Sequence, residues 1–279
     1  MTVETVYPAP AKLNLTLRVT GRRADGYHLL QTVFRFIDYG DTLRFALRED
    51  GLISRGNEVS GVPETEDLTL RAARLLQTAG AVRLGATIAL DKRLPVGGGL
   101  GGGSSDAGTT LIALNCLWGL NWPRVRLQEL ALNLGADVPV FVFGESALGE
   151  GIGEKLTALT LPPAWYLVLI PRVSVATARV FQDPNLIRDS IPTKIPPFSV
   201  AAASNDLEPV VCRLYPQVAQ HLAWLRQFGN ARMTGSGACV FAEFAGEAAA
   251  RAVMDQLPAT MRGVVARGLA RHPLREMCT

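Results

Sequence analysis

The sequence predicts an α+β protein of two domains, and three observations predict it. Residues 11 to 19 alternate apolar and polar side chains as a half-buried strand does, whereas residues 66 to 77 repeat with helical spacing. Beyond about residue 155 the segments run strand, helix, strand, strand, helix, strand, which is the order of a ferredoxin-like unit. Between these regions lies a glycine-dense stretch, Leu94-Pro-Val-Gly-Gly-Gly-Leu-Gly-Gly-Gly-Ser-Ser-Asp106, that feeds an apolar helix. The expected division is an N-terminal, mostly antiparallel α/β domain over residues 1–155 and a C-terminal ferredoxin-like domain over 156–279.

In the first strand Ala11, Leu13, Leu15, Leu17 and Val19 share one face, and Lys12, Asn14, Thr16 and Arg18 share the other. Lys12 and Asn14 are therefore neighbours. Asp25-Gly26 marks a turn and leaves Tyr27-His28 at its end. Residues 29 to 37 read as a strand, Tyr39-Gly40-Asp41 as a hairpin turn, and 42 to 47 as the returning strand. Leu68, Ala72, Leu75 and Leu76 form the inner stripe of the helix over 66 to 77, and 86 to 90 is a short strand.

After the glycine stretch a helix is expected from Ala107 to Leu117, with Ser104, Ser105 and Asp106 as candidate N-caps. Pro123 opens the next helix, closed near Gly135. Asp137 then precedes Val138-Pro139, where it could simply cap a short helix. In the second half, Trp165 to Ile170 is a nearly continuous apolar strand, Thr177 to Phe181 a short helical or loop piece, and the proline-rich stretch 184 to 200 a loop. Residues 206 to 228 form a helix or helix pair broken near Pro216. A strand, a tight turn at Gly235-Ser236-Gly237, a second strand, a helix over 247 to 256 and a last strand over 262 to 269 complete the order.

Composition narrows the class. Hydrophobic residues make up 48% of the 279 and charged residues 19%, as in globular proteins. A net charge of +3, dispersed along the chain, gives no nucleic-acid footprint. The start lacks the apolar core of a signal peptide, and no uninterrupted apolar run reaches membrane-spanning length. Cys116, Cys212, Cys239 and Cys278 have no metal-site spacing and read as thiols. The expectation is a cytoplasmic protein acting on a small molecule, without a nucleic-acid or membrane partner.

A glycine loop running into a helix presents bare N–H groups and the positive end of the helix dipole, which suits phosphate. Three phosphate-loop types fail here. Gly103 is followed by Ser104-Ser105 with no lysine, so the loop is not a Walker A motif. The dinucleotide fingerprint needs a strand running directly into the loop and an acidic residue about twenty positions on. Instead Asp91-Lys92-Arg93-Leu94-Pro95 intervene, and the later positions read Asn121-Trp122-Pro123. Protein-kinase triplets are absent.

What remains, Pro95-Val-Gly-Gly-Gly-Leu-Gly-Gly-Gly-Ser-Ser-Asp-Ala107, resembles an extended form of the loop of the GHMP kinases, the superfamily of galactokinase, homoserine kinase and mevalonate kinase. Four further blocks stand in that family's order: Pro10-Ala-Lys-Leu-Asn-Leu15, Gly26-Tyr-His28, Leu134-Gly-Ala-Asp-Val-Pro-Val-Phe141 and Thr234-Gly-Ser-Gly-Ala-Cys-Val-Phe241. The longer loop is similar to the branch that phosphorylates a cytidine-diphosphate-linked methylerythritol in isoprenoid precursor synthesis.

The resemblance implies the two-domain GHMP kinase fold, ATP as phosphoryl donor with Mg²⁺, and roles for individual residues. Lys12 and Asp137 inherit the catalytic pair. Pro95, Val96, Gly97, Gly98, Gly99, Leu100, Gly101, Gly102, Gly103, Ser104 and Ser105 inherit the ATP loop. Tyr27 and Phe181 would sandwich the cytosine ring while His28 reads its edge, with Asn14 on the sugar-alcohol hydroxyls and Thr177 nearby. Asp106, a carboxylate beside the expected phosphates, and Asp67, where relatives often carry asparagine against adenine, depart from the family pattern. Two alternatives stand beside this reading: another GHMP kinase of the homoserine or mevalonate type, and a non-catalytic binding protein on the same fold.

Overall fold

A computed structural model describes residues 5–194 and 203–277. It contains one continuous ten-stranded sheet with helices packed against it. The N-terminal strands are β1 (Tyr7–Arg22), β2 (His28–Arg48), β3 (Ile53–Arg55) and β4 (Gly85–Asp91). The turn between β1 and β2 forms at Asp25-Gly26 as expected. Gly26 has φ +91°, and the Asp25 carboxylate accepts the Tyr27 N–H at 3.2 Å. This turn delivers Tyr27 and His28 to one end of the sheet.

β2 is a single strand of 21 residues, which corrects the hairpin turn expected at Tyr39-Gly40-Asp41. These turn-type residues serve close packing instead. A Cβ on Gly40 would lie 2.3 Å from the Ala9 carbonyl oxygen, and Asp41 turns its carboxylate inward to accept the N–H groups of Arg93 (2.6 Å) and Leu94 (2.7 Å). One edge of β2 carries β1. The other carries β5 (Ala147–Glu150), β10 (Gly263–Leu269) and β4 in succession.

Helix α1 (Leu68–Ala79) begins where Asp67 caps the Thr69 N–H at 2.8 Å. Helix α2 (Gly102–Leu117) starts five residues before the expected point, so Ser104, Ser105 and Asp106 lie inside its first turns and none of them caps it. The cap residue is Gly101, in the left-handed region. Sequence placed the start at the first apolar residue, whereas the glycines themselves enter the helix. Gly108 is explained by packing, since a Cβ there would meet the Cβ of Phe141 at 2.7 Å. α3 (Arg124–Leu132) follows Pro123, and α4 (Val138–Phe143) has Pro139 in its first turn. Leu70, Ala73, Leu76, Leu111, Leu114, Leu127 and Val142 of these four helices join Leu43 and Ile88 of the sheet in one core.

The C-terminal half has the expected order. Strands β7 (Trp165–Leu169), β8 (Arg232–Met233), β9 (Val240–Phe244) and β10 lie in the antiparallel sequence β10-β7-β9-β8. Helices α5 (Thr177–Gln182), α6 (Glu208–Leu214), α7 (Pro216–Leu225) and α8 (Glu247–Met254) accompany them, with the predicted break at Pro216. Part of the loop expected at 184 to 200, from residue 195 onward, lies outside the described residues. The division expected between 155 and 156 falls at the start of β6 (Lys155–Ala158), whose hairpin partner is β5. Cys212 and Cys239 are free, but Cys116 is disulfide-bonded, which corrects the expectation of four thiols. Among the described residues no helix is long and apolar enough to cross a membrane.

Candidate active site

A cavity of about 840 Å³ lies between the glycine loop, the ends of β1 and β2, and α5. Lys12 enters it from the polar face of β1, with only 2% of its surface exposed. Its Nζ lies 3.2 Å from Oδ2 of Asp137 and donates to Oδ1 of Asn14. The Asn14 amide in turn donates to Thr32 Oγ1 at 2.8 Å, which fixes the orientation of Asn14 and hence the lysine tip. Asp137 stands just before α4 but makes no side-chain cap bond there. Its carboxylate is 41% exposed, facing the cavity while Lys12 backs it from inside. A buried ammonium thus backs a carboxylate that is open to the cavity, the geometry that a proton acceptor needs.

The glycine loop is stitched to the C-terminal half through its carbonyl oxygens. Gly97 accepts from Ala238 N and Val175 N, both at 3.3 Å, Gly98 from Cys239 N at 3.0 Å, and Gly99 from Thr234 Oγ1 at 3.3 Å. The N–H groups of Gly97, Gly98, Gly99 and Gly101 have no partner among the described residues, and these glycines line the cavity with the first turn of α2. Two positions require glycine outright. Gly99 has φ +75° and lies so close to the 234–237 turn that a Cβ would fall 2.2 Å from the Thr234 carbonyl oxygen. Gly101 has φ +73°, and its Cβ would sit 2.9 Å from Phe141 and 3.0 Å from Cε of Lys12. The seam is braced from behind by Asn205, which donates to the carbonyls of Met233 (2.9 Å) and Gly235 (2.8 Å).

Of the residues assigned to the loop, Pro95, Val96, Gly97, Gly98, Gly99, Gly101, Gly102, Gly103 and Ser104 line the cavity. The side chains of Leu100 and Ser105 point inward. Leu100 packs in the core while its carbonyl accepts the Lys12 N–H at 3.0 Å, and the Ser105 hydroxyl donates to the Pro10 carbonyl at 2.7 Å. Both tie the loop to the strand bearing Lys12.

Asp106 is not a bare charge among the loop's N–H groups. Lys92 bridges it (2.7 Å) to Asp41 (2.6 Å) beneath the first turn of α2. One ammonium balances one carboxylate, and Asp41 is further satisfied by the two backbone N–H groups noted above. Burial and the neighbouring Asp41 charge therefore push Asp106 up to about 7 despite Lys92, and its Oδ1 is buried without a partner. Asp67 is committed elsewhere, capping α1 and pairing with Arg55 at 2.7 Å. No motif in the sequence marks Lys92, and Asp41 lies within residues that read as a turn.

At the far end of the cavity the His28 ring stacks on Phe181, with centroids 4.9 Å apart and planes at 28°. Tyr27 stands beside them at the mouth, 59% exposed. Thr177, at the start of α5, shares a 2.7 Å hydroxyl contact with Ser236 across the cleft. The structure thus brings Lys12, Asn14, Asp137, Tyr27, His28, Thr177 and Phe181 to one cavity with the loop. It adds Arg188, which no sequence motif marks and which donates to the His28 ring at 3.1 Å.

The chain is similar to known proteins over nearly its whole length. The family described as "GHMP kinases N terminal domain" matches residues 67–145, and "GHMP kinases C terminal" matches 197–263. A curated 4-diphosphocytidyl-2-C-methyl-D-erythritol kinase from Nitrosospira multiformis is 62% identical over 272 residues, covering 96% of this chain and 92% of the relative. Its namesake from Thiobacillus denitrificans is 62% identical over 268 residues, covering 96% of each. A crystal structure of a 4-(cytidine 5'-diphospho)-2C-methyl-D-erythritol kinase aligns with TM-score 0.80 at 33% identity, over 95% of this chain and 99% of that one. The homoserine kinase of Cytophaga hutchinsonii, at 16% identity and TM-score 0.69, shares the fold. The chain therefore belongs to the 4-diphosphocytidyl-2-C-methyl-D-erythritol kinase family of the GHMP kinases.

Proposed function

We propose that this protein transfers the γ-phosphoryl group of ATP to the 2-hydroxyl of 4-diphosphocytidyl-2-C-methyl-D-erythritol, giving the 2-phosphate and ADP in isoprenoid precursor synthesis. The observation that carries the reading is the Lys12–Asp137 pair, 3.2 Å apart, in one cavity with the glycine loop and the His28–Phe181 stack. Family membership supports the same chemistry.

In this reading the free N–H groups of the glycine loop and the α2 N-terminus hold the donor's phosphates, replacing a Walker lysine. The acceptor hydroxyl approaches Asp137. Its proton passes to the carboxylate as its oxygen bonds to the γ-phosphorus, and the bond from that phosphorus to the β-phosphate bridging oxygen breaks to release ADP. Lys12, beside that carboxylate, offsets charge on the reacting oxygens. Tyr27, His28 and Phe181 take the cytidine end, an aromatic surface and one polar edge being how proteins hold a single base.

Magnesium fits the donor set. Mg²⁺ is commonly held by one or two carboxylates together with substrate phosphates, and Asp106, whose buried Oδ1 has no partner, lines the cavity with Ser104. The ion would supply charge stabilisation to the transferring phosphoryl group.

The test is a coupled ADP-release assay with ATP and the cytidine-diphosphate-linked acceptor, run beside homoserine, mevalonate and free methylerythritol 4-phosphate. Turnover confined to the cytidine-bearing acceptor is expected. Equal or better turnover of another acceptor, or none with folded protein, would overturn the reading.

A further inference from the structure

Arg188 ties together the loop that follows α5. Its Nη2 donates to the carbonyl oxygens of Phe181 (3.0 Å) and Asp183 (2.8 Å), and its Nη1 donates to that of Leu186 (3.0 Å). Its Nε faces Nε2 of His28 at 3.1 Å. A guanidinium stays protonated and offers only donors, so Nε2 of His28 must be the acceptor. A neutral imidazole that accepts at Nε2 carries its proton on Nδ1. The stack on Phe181 sets the plane of the ring, and the Arg188 bond selects one of the two flip states within that plane. Burial and the positive charges of Arg188 and Arg22 also disfavour the imidazolium, which keeps the ring neutral.

We propose that Arg188 is a positioning residue that sets base specificity: by holding His28 as the Nδ1–H tautomer, it presents a donor matched to the N3 acceptor of cytosine and mismatched to the N3–H of uracil. The inference rests on the reading of this end of the cavity as the cytidine subsite. It assigns discrimination to a residue whose own contacts are with the protein. A site built around one donor rejects a ligand that presents a second donor, because two buried N–H groups then face each other unpaired.

Two measurements test it. The chain has three histidines, so long-range proton–nitrogen spectra of histidine-labelled protein resolve each ring, with His28 assigned by its loss in His28→Gln. The native protein is expected to show the Nδ1–H form, and Arg188→Ala a shift toward the Nε2–H form. An Nε2–H tautomer in the native protein would overturn the inference without any variant having to fold. In parallel, calorimetry with the glycine loop saturated by ADP compares CDP with UDP. The native protein is expected to prefer CDP by about 10-fold or more. Arg188→Ala should bring the ratio near one with ADP affinity unchanged, and Arg188→Lys, which keeps a single donor, should retain part of it. An unaltered ratio in folded Arg188→Ala defeats the role of Arg188 alone. A native protein indifferent between CDP and UDP defeats the cytidine reading instead, and the inference with it.

Discussion

Oδ2 of Asp137 lies 3.2 Å from the ammonium of Lys12, and the two come from different elements: Lys12 from a buried strand, Asp137 from the residue just before a short helix. The lysine is the fixed partner, because Asn14 and Thr32 hold its tip. Replacing Asp137 by asparagine keeps the shape but removes the proton acceptor. The expected result is a fall in kcat of about 10² to 10⁴-fold, with ATP affinity retained. Steady-state kinetics together with ATP calorimetry check it, and near-native turnover would remove Asp137 from the base role.

Gly101→Ala tests how tightly loop and lysine are fitted. Its φ of +73° costs a non-glycine residue about 1 to 2 kcal/mol, and the new methyl group would press on Cε of Lys12 and the Phe141 ring. A melting point lower by a few degrees is expected, together with a kcat loss out of proportion to it. Thermal denaturation and kinetics on one preparation separate the two effects. A lowered melting point with unchanged kcat would show that Lys12 does not feel the loop.

Phe181→Ala should act on one substrate only. Stacking on an aromatic face contributes about 1 to 3 kcal/mol per base, so KM for the cytidine-bearing acceptor should rise about 10-fold or more while KM for ATP stays constant. Parallel changes in both values would place Phe181 in the loop's support instead.

Asp106 gives a pH signature. Its carboxyl group is raised from its ordinary value of 3.8 to about 7 by burial and by Asp41, so in this range the folded protein holds a proton that the unfolded chain has released. The associated stability is fully present below pH 3.8 and is lost as the pH rises toward 7. Asp106→Asn, which cannot titrate, should lose less stability than the native protein between pH 5 and pH 8, within the window set by that shift. Chemical denaturation of both proteins across this range is the measurement. Identical pH profiles would mean that Asp106 is ionised throughout.

Much of the fold was legible because it is written in periodicity. The alternation that set Lys12 beside Asn14 and the apolar run at 165 to 170 both became strands, and Pro216 breaks a helix where its ring must. Local signals misled where tertiary contacts reuse turn residues. Gly40 is glycine because Ala9 crosses it, not because the chain reverses there. The loop itself was legible from its glycines, but its electrostatics were not. The Lys92 bridge joins positions 41, 92 and 106, which only the folded sheet brings together. Arg188 was invisible for the same reason, being 160 positions from the histidine it contacts.

The long strand β2 has a mechanical consequence. It pairs with β10 of the C-terminal half, at Phe36 and Ile37, as well as with β1, β4 and β5, and the loop-to-turn seam joins the same two halves a second time. Parting the two halves would require breaking both connections, the β2–β10 pairing and the loop-to-turn hydrogen bonds. The two walls of the cavity are thereby tied to each other through strand pairing on one side and loop carbonyls on the other.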